Sequence, residues 1–413
     1  MNKKFPTNGC SEKELRIILD QHFSEIQDWN ESDGYRFGFA MTAPHPIALK
    51  TLNKFLPKNN NNTGMHTPTP DKQLSGTRFL EKEAIKMIAD LLHDRKADGN
   101  ITTGGTESNI TGVWLGRNLL KKRGFKKIVM FTTELTHVSF TKASNLLNID
   151  LVLIPLNSNY EMDYSLILKR MEILKRQNYD AFIFCLTFGY FTTGGHDNVS
   201  EICRLLEKYK NCIYIHVDAC IGGFIYPFSN PKLRFDFRSK MVSSISLDPH
   251  KMGLMPYSCG VFLCRKNLWK YIETNNSLAH FPEKTLSGSR GGASAAALWA
   301  LLNYLGRDGY KKIVSKSIAN KNYFINKIKH FDPHALILSS EDINHFAVHF
   351  SFFEGNLLPS ELSKKYRIVA NKLPVISSDG ERGHLDFYHF FVMPHMTKNG
   401  IDKFISDLSD QNL

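Results

Sequence analysis

Short apolar runs alternate with helical patterns along the middle of the sequence, and this alternation constrains the fold more than any other feature. Two of the helical patterns are TRFLEKEAIKMIADLLH, which begins at Thr77, and ESNITGVWLGRNLLKKRG, which begins at Glu107. Apolar runs separated in this way predict a mostly parallel sheet that is covered by helices on both faces, which is an α/β fold. The predicted strands are residues 127–133, 150–156, 179–189, 212–220, 241–248 and 259–266.

The two ends of the chain differ from this middle part. Residues 11–29 have helical periodicity, and residues 31–76 are rich in Pro, Asn and Gly, which predicts an irregular arm. A helical tract at 295–330 precedes short strand and helix patterns, which predict a small α+β domain. The predicted organisation is an N-terminal helix and arm (1–76), a large domain (77–294) and a small C-terminal domain (295–413).

Composition argues against several other classes of protein. The net charge is 52 − 40 = +12, but the basic residues are scattered, so we expect no nucleic-acid partner. No stretch approaches the roughly 20 apolar residues of a membrane-spanning helix, so we expect no membrane partner. The seven cysteines show no CxxC spacing and most lie in apolar runs, which predicts buried free thiols, no metal site and a cytoplasmic location.

Glycines and a helix start occur together in TTGGTESN, residues 102–109. Backbone N–H groups at a helix N-terminus bind phosphate, and glycines allow the backbone to approach an anion closely. The segment is therefore a candidate anion-binding site, although a tight turn followed by a helix cap would have the same sequence.

Three single polar residues follow predicted strands. His137, in THVSF, lies between a strand and a helix, where a histidine can be structural or functional. Asp218 ends the strand of HVDAC, and a nearly buried carboxylate needs a cation or strong donors, unless it only caps the chain there. Lys251 ends SLDPHK; it is either a solvated loop lysine or a poorly solvated one, whose lowered pKa favours a free amine that can form a Schiff base.

Together these parts match one cofactor, pyridoxal phosphate. This cofactor needs an anion site, an acidic partner for its pyridine nitrogen, a flat group against its ring and a lysine for its aldehyde. Residues 104–108, Asp218, His137 and Lys251 supply these four parts in turn. Because ligands of such sheets bind beyond the carboxyl ends of the strands, we expect the four parts to meet there.

The chain resembles the group II pyridoxal-phosphate-dependent decarboxylases, and most closely the archaeal L-tyrosine/L-aspartate decarboxylases. The resemblance runs from about Pro44 to the C-terminus and is carried by DPHKMGLMP (248–256), LSGSRGGASAAALWALLNYLGRDGYKKIV (286–314) and VMPHMT (392–397). Bacterial histidine decarboxylases share GGTE, HKM and GSR, and sphingosine-phosphate lyases share HVDAC followed by GGF. The resemblance implies an aspartate aminotransferase-like fold, that of the fold-type I PLP-dependent transferases, and a working homodimer.

The resemblance also implies a role for each cofactor residue and a reaction. Lys251 would carry the cofactor, Asp218 would pair with its pyridine N–H, and His137 would stack on its ring. The further cofactor contacts would be Gly105, Thr106 and His250. The implied reaction is the PLP-dependent decarboxylation of an L-amino acid, with tyrosine or aspartate favoured, to the amine and CO2; histidine and glutamate stay open as substrates.

The sequence departs from the family pattern on the substrate side. Gly189-Tyr190-Phe191 stands where many relatives have Gly-Thr-Thr, and His389 stands where archaeal relatives often have Arg. The loop before GSR lacks the tyrosine that reprotonates Cα in many decarboxylases and has His280 and Phe281. We expect the arm around residues 62–66 to approach the cofactor site of the partner chain, or else to be a solvated loop. The candidate substrate contacts are His45, His66, Tyr190, His280 and His389.

Two other functions stay open at this point. A PLP-dependent carbon–carbon lyase of the sphingosine-phosphate type, or an aldehyde-forming variant, would keep the cofactor and change the reaction. A relative that binds the cofactor without catalysis would act as a partner protein. The lyase should need extra basic residues for a substrate phosphate and usually a membrane anchor, and the sequence shows no anchor.

Overall fold

A computed structural model of the chain describes residues 8–26, 35–63, 72–274, 282–353, 357–376 and 382–410, together with Phe5 and Trp29. In these residues the chain forms a large and a small sheet with helices around them. The helices are α1 (Glu12–Ser24), α2 (Pro46–Phe55), α3 (Lys72–Leu91), α4 (Gly105–Lys122), α5 (Ser139–Leu147), α6 (Ile167–Arg176), α7 (Val199–Leu206), α8 (Tyr226–Ser229), α9 (Gly292–Phe331), α10 (Ser360–Tyr366) and α11 (Lys398–Ser409).

The large sheet has seven strands within the described ranges. They are β1 (Asp98–Thr102), β2 (Ile128–Thr132), β3 (Asp150–Leu153), β4 (Ala181–Thr187), β5 (Ile213–Asp218), β6 (Val242–Leu247) and β7 (Gly260–Cys264). Their order is β1-β7-β6-β5-β4-β2-β3, in which β3, β2, β4, β5 and β6 run parallel and β7 runs antiparallel to both β6 and β1. The predicted mostly parallel sheet is confirmed.

The inner strands are apolar throughout because helices cover both faces of the sheet. Every residue of β2, β4 and β5 is buried. On one face α4 lies very close to β5, since Gly112 has no side chain there: a Cβ atom at this position would lie 2.3 Å from Nδ1 of His216. This close approach places the first turns of α4 directly over the end of β5.

The small sheet is antiparallel and lies in the C-terminal part of the chain. Its strands are β8 (Leu336–Leu338), β9 (His345–His349), β10 (Ala370–Ile376) and β11 (Arg382–Phe391), in the order β10-β11-β9-β8. Phe346 and Phe390 stack on neighbouring strands, and Phe324 of α9 meets both rings edge-on. α9 is kinked at Gly306, where φ is 57°. The predicted domain boundaries at 76/77 and 294/295 stay a proposal.

Three elements were absent from the sequence prediction. α2 lies inside the region that was expected to be irregular, and the prediction for residues 46–55 is therefore wrong. β1 and β10 were not predicted, and both are edge strands of their sheets. In the described ranges no helix is long and apolar enough to cross a membrane. All seven cysteines are free thiols, as expected, and five of them are buried; the expectation of burial is wrong for Cys10, which is exposed, and for Cys212, which is partly exposed.

Candidate active site

The carboxyl ends of the parallel strands meet at one cavity of about 700 Å³. β5 ends at Asp218, the turn after β6 carries Lys251, and the loop after β2 carries His137. All three side chains line the cavity, and so does Gly105 at the start of α4. The predicted cofactor residues therefore share one space, which is large enough for a small organic ligand.

Lys251 is paired with a carboxylate that the sequence analysis did not single out. Its Nζ lies 3.0 Å from Oδ2 of Asp248, three residues earlier, and Asp248 is only 4% exposed. Burial is the largest single effect and acts to lower the pKa of Lys251, but the nearby acidic groups, Asp248 first and then Cys220 and Asp218, together outweigh burial and raise that pKa. Poor solvation therefore acts on Lys251 as expected, but the expectation of a lowered pKa is wrong, because the acidic neighbours reverse the direction.

Asp218 is held by neutral donors. Its Oδ2 accepts a hydrogen bond of 2.8 Å from Nδ2 of Asn109, and its Oδ1 accepts one of 3.0 Å from the N–H of Cys220. Asn109 is 1% exposed and also lines the cavity. Sequence reasoning missed Asn109, although it lies four residues after Gly105 and so on the same face of α4.

His137 and His250 line the cavity with their rings in fixed orientations. Nδ1 of His137 lies 2.9 Å from Oγ of Ser139, and burial lowers the pKa of His137. The ring of His250 stacks on Tyr257 with centroids 4.2 Å apart, and its Nδ1 accepts a hydrogen bond from the N–H of Cys259. Burial lowers the pKa of His250 as well, which favours neutral imidazoles at both positions.

Of the five candidate substrate contacts, the described residues include three, and none of these lines the cavity. Tyr190 is fully buried, and its hydroxyl group bonds to Thr133 and Asp197. His389 is 3% exposed and bonds through Nδ1 to the carbonyl group of Thr192. His45 caps α2. His66 and His280 lie outside the described residues.

Other residues form the outer side of the cavity. Phe191 and Thr192 come from the loop after β4, and Asn371, Lys372 and Leu373 come from β10 of the small sheet. Lys372 is exposed, and its side chain has no hydrogen bond or ion pair with another described residue. Because β10 was not predicted as a strand, no local pattern could have placed these three residues at the cavity.

The GSR segment reaches the cavity from far along the chain. Ser287 donates a hydrogen bond of 2.9 Å to Glu107, which lines the cavity. Arg290 donates to the carboxylate of Glu81 and to the carbonyl group of Asn62. Asn62 is fully buried and donates to Glu81 at 2.6 Å. Asn62 is therefore packed against its own chain, and the alternative prediction of a solvated loop is wrong for this residue. Residues 64–66 of the same segment lie outside the described part of the chain.

Comparison with known proteins establishes the family. The sequence model of the pyridoxal-dependent decarboxylase conserved domain matches residues 76–352. The chain belongs to the pyridoxal-dependent decarboxylase family. It is 33% identical over 400 residues to a probable L-tyrosine/L-aspartate decarboxylase of Methanosphaera stadtmanae, with 95% of each chain covered. It is 31% identical over 417 residues to an L-aspartate decarboxylase of Thermococcus kodakarensis, with 98% of each covered.

Solved structures of this decarboxylase's relatives show the same fold. Glutamate decarboxylase of Lactobacillus brevis matches with a TM-score of 0.82 at 18% identity, covering 99% of this chain and 94% of that one. A sphingosine-1-phosphate lyase of Burkholderia pseudomallei matches with a TM-score of 0.81 at 22% identity, covering 99% and 92%. The family and the fold confirm the predicted α/β architecture, a carboxy-lyase acting on an amino acid, and pyridoxal phosphate as the cofactor.

The cavity of this decarboxylase fits that cofactor. A Cβ atom on Gly105 would lie 2.5 Å from Sγ of Cys220 and 2.9 Å from Oδ2 of Asp248, so only glycine leaves room at the start of α4. Oδ1 of Asp248 is buried and has no hydrogen-bond partner among the described residues, which leaves an acceptor for a bound group. A lysine, a buried carboxylate, a histidine ring and backbone donors at a helix start are the parts that pyridoxal phosphate requires.

Proposed function

We propose that this decarboxylase removes the α-carboxylate of L-tyrosine or L-aspartate, and that L-aspartate is the better substrate. The observation that carries the proposal is the meeting of Lys251, Asp218 and His137 at one cavity in a chain of this family. The relatives named above support the two amino acids. Lys372 supports the acidic one, since it adds an ammonium group to the outer side of the cavity, where no described residue forms an ion pair with it.

Each residue of the cavity has one task in this proposal. Pyridoxal phosphate, when bound, supplies a ring that accepts the electron pair left by the departing carboxylate. Lys251 would hold the cofactor through its aldehyde carbon, and Asp218 would keep a proton on the ring nitrogen. His137 would support the ring. Gly105 and Thr106 would contact the phosphate, and His250 would help to hold the cofactor.

A panel of amino acids tests the reaction. The purified protein is saturated with pyridoxal phosphate, and CO2 and amine are measured with tyrosine, aspartate, glutamate and histidine. Lys251→Ala should abolish turnover and the borohydride-reducible bond to the cofactor. A reducible adduct that persists in this variant would remove Lys251 from its role. An aldehyde product, or cleavage of a long-chain amino-alcohol phosphate without CO2 release, would replace the proposed reaction.

Substrate choice has its own test at Lys372. Lys372→Met should raise KM for aspartate roughly tenfold and leave tyrosine within about twofold, because only aspartate has a side-chain carboxylate to pair with the ammonium group. Lys364→Met, an exposed lysine on α10, is the matched control. Equal changes for both substrates would exclude Lys372 as the selective contact.

We further propose a homodimer in which residues near His66 approach the cavity of the partner chain. Exposed apolar residues on α1 support an association surface, since Ile17, Leu19 and Phe23 are 62%, 65% and 75% exposed. Lys251→Ala chains are mixed with His66→Ala chains, and hybrid dimers should regain activity in one of two sites. Full activity of His66→Ala alone, or hybrids that form without recovery, would contradict the shared site. The buried thiols fit a reducing, cytoplasmic setting for this assembly.

A further inference from the structure

Among the described residues the carboxylate of Asp218 forms no ion pair within 4.0 Å, and the charge of Lys251 acts on it only from farther away. Asp218 is 5% exposed. Its hydrogen bonds come from the side-chain amide of Asn109 and the N–H of Cys220. A buried charge needs strong, correctly oriented donors when no counter-ion is present. The charge of Asp218 therefore depends on groups that keep the amide of Asn109 correctly oriented.

The orientation of Asn109 follows from the groups on its two sides. A carboxylate only accepts hydrogen bonds, so the atom of Asn109 that lies 2.8 Å from Asp218 is the nitrogen. The amide oxygen then faces Nε2 of His216 at 3.0 Å, and because this oxygen can only accept, Nε2 carries a proton, to which Oγ of Ser246 at 3.1 Å is a second acceptor. His216 is fully buried, and burial lowers its pKa to about 4, so the ring is neutral with its other nitrogen bare.

The bare nitrogen of His216 has a matching donor. Its Nδ1 lies 2.7 Å from Oγ of Ser244, and Oγ in turn accepts a hydrogen bond of 2.6 Å from the hydroxyl group of Tyr214. Ser244 therefore donates to His216, and every donor in this row points from Tyr214 towards Asp218. Gly112 fixes the ring from the helix side, since α4 leaves no room beyond Nδ1 of His216.

The second N–H of Asn109 serves the other face of the site. It donates to Oγ of Ser139 at 2.9 Å, so the hydroxyl proton of Ser139 is free to point to Nδ1 of His137, 2.9 Å away. The backbone N–H of Ser139 also donates to this Nδ1, at 3.2 Å. Nδ1 of His137 is thus an acceptor, and its proton resides on Nε2.

We propose that Asn109 and His216 are positioning residues that hold Asp218 as an oriented carboxylate and link it to His137 through one shared amide. The inference rests on the proposed roles of Asp218 and His137. Asn109 gives one amide proton to each side, and His216 prevents the amide from turning over. Asn109 and His216 thus act through two other side chains. They orient the charged carboxylate of Asp218 towards the ring nitrogen, and they keep the proton of His137 on Nε2, where it can be donated into the cavity.

Two cofactors that differ at one atom test this proposal. Dissociation constants are measured by equilibrium dialysis for pyridoxal phosphate and for its analogue with C–H in place of the ring nitrogen. Only pyridoxal phosphate can use the charge of Asp218, so the ratio of the two constants reports on that charge. Asn109→Leu should reduce the preference for pyridoxal phosphate roughly tenfold, since a hydrogen bond to a charged group is lost. Asn118→Leu, which removes a hydrogen bond elsewhere on α4, should leave the ratio unchanged.

Variants at His216 separate positioning from simple packing. His216→Gln can still donate to the amide oxygen of Asn109 and should keep most of the preference, whereas His216→Leu should lose it. An unchanged ratio in folded Asn109→Leu, or equal ratios in the two His216 variants, would overturn the proposal. So would ¹⁵N spectra of the parent holoenzyme with the proton on Nδ1 of His137. The ratio of the two cofactor dissociation constants is measured without any substrate. A wrong proposal for the amino-acid substrate would therefore change the result of the amino-acid panel but not this ratio.

Discussion

Arg290 is the residue of the GSR segment whose removal should cost the most stability. Its side chain is 9% exposed and forms an ion pair with Glu81, which is 1% exposed. Arg290 also donates to the carbonyl groups of Ile101 at 3.1 Å and Asn62 at 2.9 Å. Arg290→Met keeps the length of the side chain but leaves the carboxylate of Glu81 buried without its cation, which costs about 3–5 kcal/mol of the free energy of unfolding.

The ion pair of Arg307 with Asp90 provides a matched control. These side chains are 59% and 38% exposed, and exposed pairs contribute at most about 1 kcal/mol. Arg307→Met should therefore shift the urea midpoint much less than Arg290→Met does. All proteins are unfolded at the same saturating concentration of pyridoxal phosphate, because bound cofactor itself stabilises the folded state.

A second change isolates the charge from the packing. Adding Glu81→Gln to Arg290→Met removes the buried charge, so the double variant should be more stable than Arg290→Met alone. A free energy of unfolding of Arg290→Met within about 1 kcal/mol of that of the parent protein would refute the stabilising role of this ion pair. A further decrease in the free energy of unfolding on adding Glu81→Gln would refute it as well.

Three further outcomes are expected. Asp218→Asn should lower the decarboxylation rate roughly a hundredfold or more at saturating cofactor, and a rate within about threefold of the parent would count against its role. Gly105→Ala should weaken the binding of pyridoxal phosphate in dialysis, whereas Gly288→Ala, with open space around its Cβ position, should not; equal binding would remove the steric argument. Burial lowers the pKa of His389 to about 4. Between about pH 6.5 and pH 4 the unfolded protein therefore binds more protons at this residue than the folded protein does. The contribution of neutral His389 to the free energy of unfolding is full above this range and is lost as the pH falls through it. His389→Phe should flatten this loss by up to about 1.4 kcal/mol per pH unit, and exposed His22→Phe should not; parallel curves for all three proteins would contradict the buried neutral state.

The meeting of the predicted cofactor residues at one cavity could be foreseen because each of them depends on a local rule. Asp218 ends a strand of the parallel part of the sheet, Lys251 and His137 follow two others, and Gly105 begins a helix, so the carboxyl edge of the sheet brings them together. The partners that tune them are less visible. Asp248 was quoted in the lysine motif, yet a sequence does not show that its carboxylate turns back onto Nζ.

The substrate candidates were placed less well because their side-chain directions depend on distant contacts. His389 bonds to the carbonyl group of Thr192, 197 residues away, and His345 bonds to that of Tyr190, 155 residues away. No periodic pattern records such pairs. β10 was missed for a different reason: Pro374 lies within it, and proline argues against a strand unless the strand is at the edge of a sheet, where β10 is.

The two sides of the cavity differ in how freely they can change. The cofactor side is made of buried groups between α4 and the large sheet, such as Asn109 and His216, so a substitution there disturbs packing and charge together. The outer side is made of a loop at Phe191 and an exposed edge strand at Lys372. Substitutions at these outer residues leave the buried row of hydrogen bonds intact, and stability outside the core changes little. Of the residues that depart from the family pattern, Gly189 and Phe191 line the cavity, whereas Tyr190 and His389 do not. A chain built in this way can change the outer lining of its cavity without disturbing the buried groups beneath it.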